Sequence, residues 1–211
     1  MTKVADKLRG AFLVMDGPDG AGKGTQLERF EAWIRELGVE VVRAQDPGGT
    51  AIGRRIREIL LDPACGEMTV TCETMLYMAS RAQLVAEVVR PALTGGACVV
   101  GDRFVSSTVA YQGAGGADTD AIRRVADVAV GPTRPDLTIL LDLDPAAGLG
   151  RLRRTADRIE AKGLAYHRRV RDGFLRQAAA EPDRFAVIDA GGSVETVAER
   201  VREAIIAWAG R

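Results

Sequence analysis

Five short apolar runs recur along the 211-residue chain, and stretches with helical periodicity separate them. The runs are mostly continuous rather than alternating, which is typical of strands buried on both faces of a parallel sheet. They are Ala11–Asp16, Val39–Ala44, Ala97–Asp102, Leu137–Leu143 and Arg184–Asp189. Strands that alternate with helices predict a single doubly wound α/β domain over residues 1–211, with a five-stranded parallel sheet and helices on both faces.

The helical stretches carry their own boundary signals. Apolar residues at three-to-four spacing over 75–89 predict an amphipathic helix that ends near Pro91. Asp144 before Pro145 is typical of an N-cap followed by a first helical residue, and Ser193 marks the start of the last helix. Ligands bind at the carboxyl ends of the strands in such sheets, so the residues that follow the strands are the candidates for a functional site.

Composition limits the classes of partner. Lysines plus arginines and aspartates plus glutamates number 29 each, so the overall charge does not indicate a nucleic-acid partner bound through its phosphates. The three cysteines lack zinc-ligand spacing and are expected to be free thiols in a reducing compartment. No apolar run approaches the ~20 residues that cross a bilayer, and the polar residues 1–9 lack the hydrophobic centre of a signal peptide. We therefore expect a cytoplasmic protein without a membrane partner, and we expect its single histidine, His167, to be structural or exposed.

A glycine-rich segment follows the first strand directly and opens a helix that runs to Leu37. Glycines let the backbone wrap closely and aim its N–H groups at phosphate oxygens. The helix N-terminus adds a partial positive charge and a lysine adds a full one. A strand before and a helix after form the context that a nucleoside-triphosphate loop requires. The predicted ATP-binding residues are Gly17, Pro18, Asp19, Gly20, Ala21, Gly22, Lys23, Gly24 and Thr25.

One position of this loop departs from the general pattern. The residue after Lys23 is normally Ser or Thr, whose hydroxyl ligates magnesium, whereas this chain has Gly24 and then Thr25. We expect magnesium to be held through water or with help from Thr25. Asp102, at the end of the third strand, is the predicted oxygen ligand for a magnesium-bound water.

Five further segments follow in order along the chain: Asp46–Thr50, Ser80–Val85, Asp102–Gly113, Arg134–Thr138 and Asp157–Glu160. At these separations, and together with the phosphate loop, the set resembles bacterial thymidylate kinase from near residue 10 to the C-terminus. The local sequence Lys-Gly-Thr-Gln at 23–26 instead resembles adenylate kinases.

The thymidylate kinase resemblance implies transfer of the γ-phosphoryl group of Mg-ATP to dTMP, which gives dTDP and ADP. Lys23 would hold the ATP phosphates, and Arg103 would bridge the phosphates of both substrates. Tyr77 would stack on the base, and Tyr111 would exclude a 2′-hydroxyl by steric conflict. The predicted acceptor-binding residues are Asp19, Asp46, Pro47, Arg57, Tyr77, Arg81, Arg103, Ser107, Thr108, Tyr111 and Gln112.

The resemblance also implies a lid over about residues 145–162, and a homodimer whose interface includes the helix over 75–89. The phosphate loop contains no arginine, so the lid must supply the catalytic one. Four arginines cluster there, Arg151, Arg153, Arg154 and Arg158, and the sequence does not decide which of the four is catalytic. Helical spacing places three of them on one face, and these are the predicted catalytic residues: Arg151, Arg154 and Arg158. Gln45 stands where arginine is common in the family, and Arg54 and Arg57 are hypothesised to compensate.

Two alternatives remain open from the sequence. A kinase for another monophosphate, such as AMP, UMP or CMP, would suit the segment from Lys23 to Gln26. A nucleotide-binding module without turnover would suit the missing hydroxyl at Gly24, although Arg103 and the basic lid argue against it.

Overall fold

The computed structural model describes residues 2–151 and 157–211. Within these residues, five parallel strands form a sheet in the order β2-β3-β1-β4-β5. The strands are β1 (Phe12–Asp16), β2 (Val41–Gln45), β3 (Cys98–Asp102), β4 (Leu137–Asp142) and β5 (Phe185–Asp189). The predicted α/β class and five-stranded parallel sheet are confirmed.

Helices connect the strands and cover both faces of the sheet. They are α1 (Thr2–Leu8), α2 (Lys23–Glu36), α3 (Ala51–Leu61), α4 (Val70–Leu84), α5 (Arg90–Thr94), α6 (Val105–Ala114), α7 (Thr119–Val130), α8 (Pro145–Arg151), α9 (Leu164–Ala180) and α10 (Val194–Ala209). Single 3-10 turns lie at Pro63–Cys65 and Glu160–Lys162. The predicted caps are present: Asp144 Oδ1 accepts the Ala146 N–H at 2.8 Å, and Ser193 Oγ accepts the Thr196 N–H at 3.2 Å. None of the helices described is both long and apolar enough to cross a membrane.

The helix expected over 75–89 differs at both ends. It begins earlier, at Val70, where Thr69 caps it by accepting the Cys72 N–H at 3.2 Å. It then passes through a π-helical turn, Val85–Val89, and continues as α5 beyond Pro91. The prediction that this helix ends near Pro91 is therefore wrong. Pro91 stands in the first turn of a new helical segment, where its missing N–H has little effect on the hydrogen-bond pattern.

Alternation along β1 divides the core between the two faces of the sheet. Leu13 and Met15 pack with side chains of α1, α2 and α10. Phe12 and Val14 face the other way and pack with Leu84 and the π-helical turn. Burial on both faces explains why the strands are continuous apolar runs in the sequence.

The site lies at the carboxyl edge of this sheet. Met15 of β1 is in register with Asp102 of β3, so the segments that follow these two strands start side by side. The loop after β1 carries the glycine-rich motif, and Arg103 follows β3 directly.

Candidate active site

A cavity of about 340 Å³ opens at this edge, between the loop after β1, the segment after β2, α4, α6 and residues 157–160. All of the predicted acceptor-binding residues line it. The predicted residues in its wall are Asp19, Gly20, Gly22, Lys23, Gly24, Asp46, Pro47, Arg57, Tyr77, Arg81, Asp102, Arg103, Ser107, Thr108, Tyr111 and Gln112. Gly17, Pro18, Ala21 and Thr25 belong to the same loop and helix start but lie outside the cavity wall.

The glycines of the loop are required by close backbone packing. Gly17 has φ of 141°, and a Cβ there would lie 2.3 Å from the Leu141 carbonyl oxygen. Gly20 has φ of 75°, and its Cβ would lie 1.9 Å from the carbonyl oxygen of Gly148 in α8. Gly148 in turn has room for no side chain, because its Cβ would lie 2.3 Å from the Asp19 carbonyl oxygen. The sequence interpretation did not identify Gly148, since its role depends on a contact with a distant segment.

Lys23, the first residue of α2, turns back onto the loop. Its Nζ donates hydrogen bonds to the carbonyl oxygens of Gly17 at 2.9 Å and Pro18 at 2.7 Å. Burial, together with the nearby Arg103 charge, lowers the pKa of Lys23 to about 8. An anion in the cavity would favour the protonated form, so the amine is suited to binding phosphate.

Asp16 joins the loop to α6. Its buried carboxylate accepts hydrogen bonds from the Gly17 N–H at 2.9 Å, Ser106 Oγ at 2.6 Å and Ser107 Oγ at 2.7 Å. These bonds fix the first residue of the loop relative to the helix that carries the acceptor-side residues. Asp16 is therefore an anchor of the site. Ser107, which is predicted to contact the acceptor, also helps to hold the Asp16 carboxylate.

Arg103 adopts φ of 68°, in the left-handed region that costs a residue with a side chain about 1–3 kcal/mol. This conformation turns its guanidinium back across the carboxyl edge of the sheet. Nη1 donates to the Gly17 carbonyl oxygen at 3.1 Å and Nη2 to Asp19 Oδ1 at 2.5 Å, and the guanidinium carbon lies 5.0 Å from the Tyr111 ring centre. Burial alone would lower the pKa of Arg103, but Tyr111, Asp19 and the neighbouring Asp16 raise it well above its ordinary value. A permanent cation thus stands between the phosphate loop and α6.

Asp19 is the acidic partner of this cation. Its Oδ2 accepts the Tyr111 hydroxyl at 2.8 Å, and His167 Nδ1 lies 3.9 Å away. Burial would raise the pKa of Asp19, but the charges of Arg103 and Lys23 outweigh it and lower the pKa below its ordinary value. His167 is buried rather than exposed, and its Nε2 donates to the Glu160 carbonyl oxygen at 3.2 Å. It therefore supports the wall of the cavity behind Asp19.

A buried ion pair forms the far wall. Arg81 is 1% exposed, and its Nε donates to Asp46 Oδ2 at 2.5 Å. Its Nη2 donates to the Phe104 carbonyl oxygen at 3.1 Å and to Thr108 Oγ1 at 3.0 Å. Burial raises the pKa of Asp46, although Arg81 acts in the opposite direction. Tyr77 lies one turn before Arg81 on α4, so both side chains reach the same cavity.

The segment after β2 contributes backbone and a second arginine. The Asp46–Pro47 peptide is cis. Arg57 of α3 donates from Nη1 to the Pro47 carbonyl oxygen at 3.1 Å and lines the cavity beside Gln45. Arg54 is exposed and lies outside the wall, so Arg57 is the better placed of the two to compensate for Gln45.

The three arginines predicted to act from a lid differ in what the structure describes of them. Arg158 is buried, with Nε donating to the Leu60 carbonyl oxygen at 2.8 Å and Nη2 2.5 Å from Glu73 Oε2. Arg151 is exposed at the end of α8, with Nη1 3.5 Å from the Gly20 carbonyl oxygen. Arg154 lies outside the described residues. A catalytic role for any of them stays a prediction, and the contacts of Arg158 are those of a structural anchor.

The residues predicted to help hold magnesium have different positions. Asp102 is half-buried and lines the cavity, whereas Thr25 is exposed and lies outside the wall. A Cβ on Gly24 would meet no atom within 4 Å, so the space of the missing hydroxyl is open. Residues 2–151 and 157–211 contain no group of three or more His, Cys, Asp or Glu side chains that could hold a metal ion. The residues present suit a magnesium ion carried by substrate phosphates and water, with Asp102 as the protein oxygen nearby.

Comparisons with known proteins agree with this geometry. The family model for thymidylate kinase matches residues 15–201. The thymidylate kinase of Deinococcus radiodurans is 51% identical over 185 residues, which cover 86% of this chain and 89% of the relative. That of Gloeobacter violaceus is 49% identical over 199 residues, which cover 92% of this chain and 93% of the relative. A crystal structure of the thymidylate kinase from Ehrlichia chaffeensis superposes with a TM-score of 0.77 at 27% identity, over 94% of this chain and 99% of that one. This chain belongs to the thymidylate kinase family.

Proposed function

We propose that this protein transfers the γ-phosphoryl group of Mg-ATP to dTMP, giving dTDP and ADP. The observation that carries the proposal is the position of Arg103, whose guanidinium contacts the phosphate loop at Gly17 and the acceptor-side helix α6 at Ser107, where Nη1 donates to Oγ at 3.0 Å. Phosphoryl transfer depends on alignment and on neutralisation of charge, and one cation that reaches both subsites supplies both.

The donor subsite is the loop after β1. Its backbone N–H groups and the N-terminus of α2 bind the ATP phosphates, and Lys23 leaves its loop carbonyls to bind them as a full charge. The pKa of Lys23 is lowered by burial and by the Arg103 charge, and bound phosphates would oppose both effects.

The acceptor subsite lies on the opposite side of Arg103. Tyr77 stacks on the base, and Arg81, Thr108 and Gln112 bind its edge, all within the same cavity wall. Tyr111 is held between Tyr166 and Phe174, with ring centres 6.4 and 6.0 Å away, so it cannot move aside for a 2′-hydroxyl. A fixed ring at this place favours a deoxynucleotide by exclusion.

Magnesium, when bound, neutralises the charge on the transferred phosphates. Asp102 would hold it through water, and the open space at Gly24 leaves room for a further water molecule in place of a side-chain hydroxyl. Thr25 is exposed on the first turn of α2 and would contribute only from outside the cavity wall.

The arginine that completes the transition-state site is proposed to come from the lid. Arg151 is supported by its approach to Gly20, and Arg154 belongs to the same proposal on the basis of its spacing in the sequence. Arg158 has a different proposed role, because it is paired with Glu73. It anchors the C-terminal end of the proposed lid and does not touch phosphate.

The protein is further proposed to be a cytoplasmic homodimer with no nucleic-acid or membrane partner. Support for the dimer comes from four exposed apolar side chains on α3, α4 and α7. They are Ile52, Ile59, Met75 and Val128. Helix α4 packs against both α3 and α7.

A turnover panel with ATP and dTMP, dUMP, AMP, UMP or CMP tests the proposal. We expect dTMP to be phosphorylated fastest. Fastest turnover of AMP or CMP would instead support a kinase for another monophosphate, the alternative that the segment at 23–26 suggests through its resemblance to adenylate kinases. Tight ATP binding without ADP formation in any mixture would support a module that does not turn over.

A further inference from the structure

Gln112 of α6 lines the acceptor cavity, and its amide nitrogen donates a hydrogen bond to a neighbouring residue. The side chain is 1% exposed, and Nε2 lies 2.7 Å from Oε1 of Glu73 on α4. Glu73 does not line the cavity and was not singled out from the sequence. Its hydrogen bond with Gln112 connects it to the cavity wall.

Glu73 is 1% exposed and is paired with two cations. Arg158 Nη2 lies 2.5 Å from one carboxylate oxygen, and Lys162 Nζ lies 3.3 and 3.4 Å from the two oxygens. The carboxylate of this ion pair only accepts hydrogen bonds, so the side of the Gln112 amide that faces it is the NH₂ group. The charge of Glu73 thus determines which way the amide is turned.

The orientation of this amide matters for the base. With the NH₂ group drawn to Glu73, the carbonyl end is turned away from it, toward the cavity. A carbonyl oxygen accepts a hydrogen bond from the N3–H of thymine and repels the lone pair on N3 of cytosine. A polar group that is fixed in this way rejects the mismatched base because it would be left unpaired.

We infer that Glu73 is a positioning residue that sets the acceptor-base specificity of this enzyme by fixing the amide of Gln112. The inference rests on the proposed function, since it takes a thymine nucleotide as the acceptor. Glu73 touches neither substrate, and Arg158 and Lys162 contribute by pairing with its carboxylate.

Glu73→Gln tests the inference, with dTMP and 5-methyl-dCMP as paired acceptors. The two nucleotides share the methyl group and the sugar and differ only at N3 and at position 4 of the ring. A neutral amide at position 73 can donate a hydrogen bond as well as accept one. The Gln112 amide can then adopt the flipped orientation, with its carbonyl oxygen facing position 73. We expect the ratio of kcat/KM for dTMP to that for 5-methyl-dCMP to fall about tenfold, mainly through KM.

A double-mutant cycle shows whether the effect passes through Gln112. Gln112→Met removes the amide, and in that background Glu73→Gln should leave the ratio unchanged. Glu31→Gln is the matched control, because Glu31 is also buried and is also paired with two arginines, Arg35 and Arg43, but lies outside the cavity wall. The control should lose stability without altering the ratio.

Glu73→Asp is the second variant, for the case in which Glu73→Gln does not fold. It keeps the carboxylate, but the shorter side chain moves the carboxylate away from the Gln112 amide. It should relax the ratio in the same direction. An unchanged ratio in every folded Glu73 variant, or an equal fall in the Gln112→Met background, would overturn the inference. Failure of the proposed function looks different, because the unmodified enzyme would then not phosphorylate dTMP preferentially in the first place.

Discussion

Gly20 and Gly148 are in direct backbone contact, so the phosphate loop and the first turns of α8 touch without any intervening side chain. A Cβ on Gly20 would lie 1.9 Å from the Gly148 carbonyl oxygen, and a Cβ on Gly148 would lie 2.3 Å from the Asp19 carbonyl oxygen. Helix α8 is thereby seated on the loop that is proposed to hold the donor phosphates. The contact fixes the position of α8 relative to this loop.

Gly148→Ala tests this seating. The methyl group must displace backbone rather than a flexible side chain, so we expect unfolding stability to fall by about 1–3 kcal/mol and KM for ATP to rise. Thermal unfolding and steady-state kinetics measure the two effects. Gly150→Ala is the control on the same helix, because its Cβ would meet nothing within 4 Å. The control should be neutral or slightly stabilising, and equal losses in the two variants would contradict the seating.

Gly24→Ser restores the hydroxyl that phosphate loops usually carry after their lysine. The side chain enters open space, with no atom within 4 Å of its Cβ, so the fold should tolerate it. We expect the magnesium concentration for half-maximal activity to fall several-fold, because a protein oxygen replaces water near the metal.

Gly24→Ala adds the same Cβ without the hydroxyl and separates the two effects. It should match Gly24→Ser in thermal stability but leave the magnesium dependence of the original enzyme unchanged. If both variants shift the magnesium dependence equally, backbone stiffening rather than the hydroxyl is responsible.

The pKa of Lys23 predicts a pH dependence with a defined sign. The pKa is about 8 in the folded, nucleotide-free protein and 10.5 as its ordinary value, so between these limits the unfolded chain binds more protons. Unfolding stability should therefore gain a contribution as pH rises from about 8 to 10.5. The penalty for burying the charge is fully present below pH 8. Thermal melts of the nucleotide-free enzyme, compared with Lys23→Met, measure this contribution as a difference in slope.

ATP affinity should show the opposite trend over the same range. The triphosphate binds the cationic form of Lys23, so its dissociation constant should rise as pH passes through about 8. Titration calorimetry in buffers of different ionisation enthalpy would detect the accompanying proton uptake. A dissociation constant equally pH-dependent in Lys23→Met would assign the trend to other groups.

How much of this site follows from sequence depends on how local each signal is. The strands follow from continuous apolar runs, and Lys23 and Arg103 follow from their place directly after strand ends. Glu73 and Gly148 were not identified because each contacts a partner far away in sequence, Gln112 or Asp19. Such contacts form only in the folded chain, where the order of the strands in the sheet places these segments side by side. Local sequence patterns therefore do not predict them.

Helical spacing predicts that Arg158 shares one helical face with Arg151. Arg158 instead lies in a turn, where it is buried against Glu73, whereas Arg151 is exposed on α8. The first helix, α1, was not predicted, because its seven residues are too few to show a clear period. Val4, Ala5 and Leu8 nevertheless bury one side of it against the core.

Val128→Glu tests the proposed homodimer. Val128 is 87% exposed on α7, which packs against α4, and α4 in turn packs against α3. These two helices expose Met75, Ile52 and Ile59. A carboxylate in the centre of an apolar interface would be desolvated without a partner. We expect the dimer dissociation constant to rise at least about 30-fold, which corresponds to ~2 kcal/mol, as measured by sedimentation velocity across a concentration series.

Val194→Glu is the control for that experiment. Val194 is also exposed, at 41%, but it is the first residue of α10, where a negative charge is favourable. This variant should keep the association state and the thermal stability of the original chain. Were Val128→Glu to remain as associated as Val194→Glu, the apolar face formed by α3, α4 and α7 would not be the dimer interface.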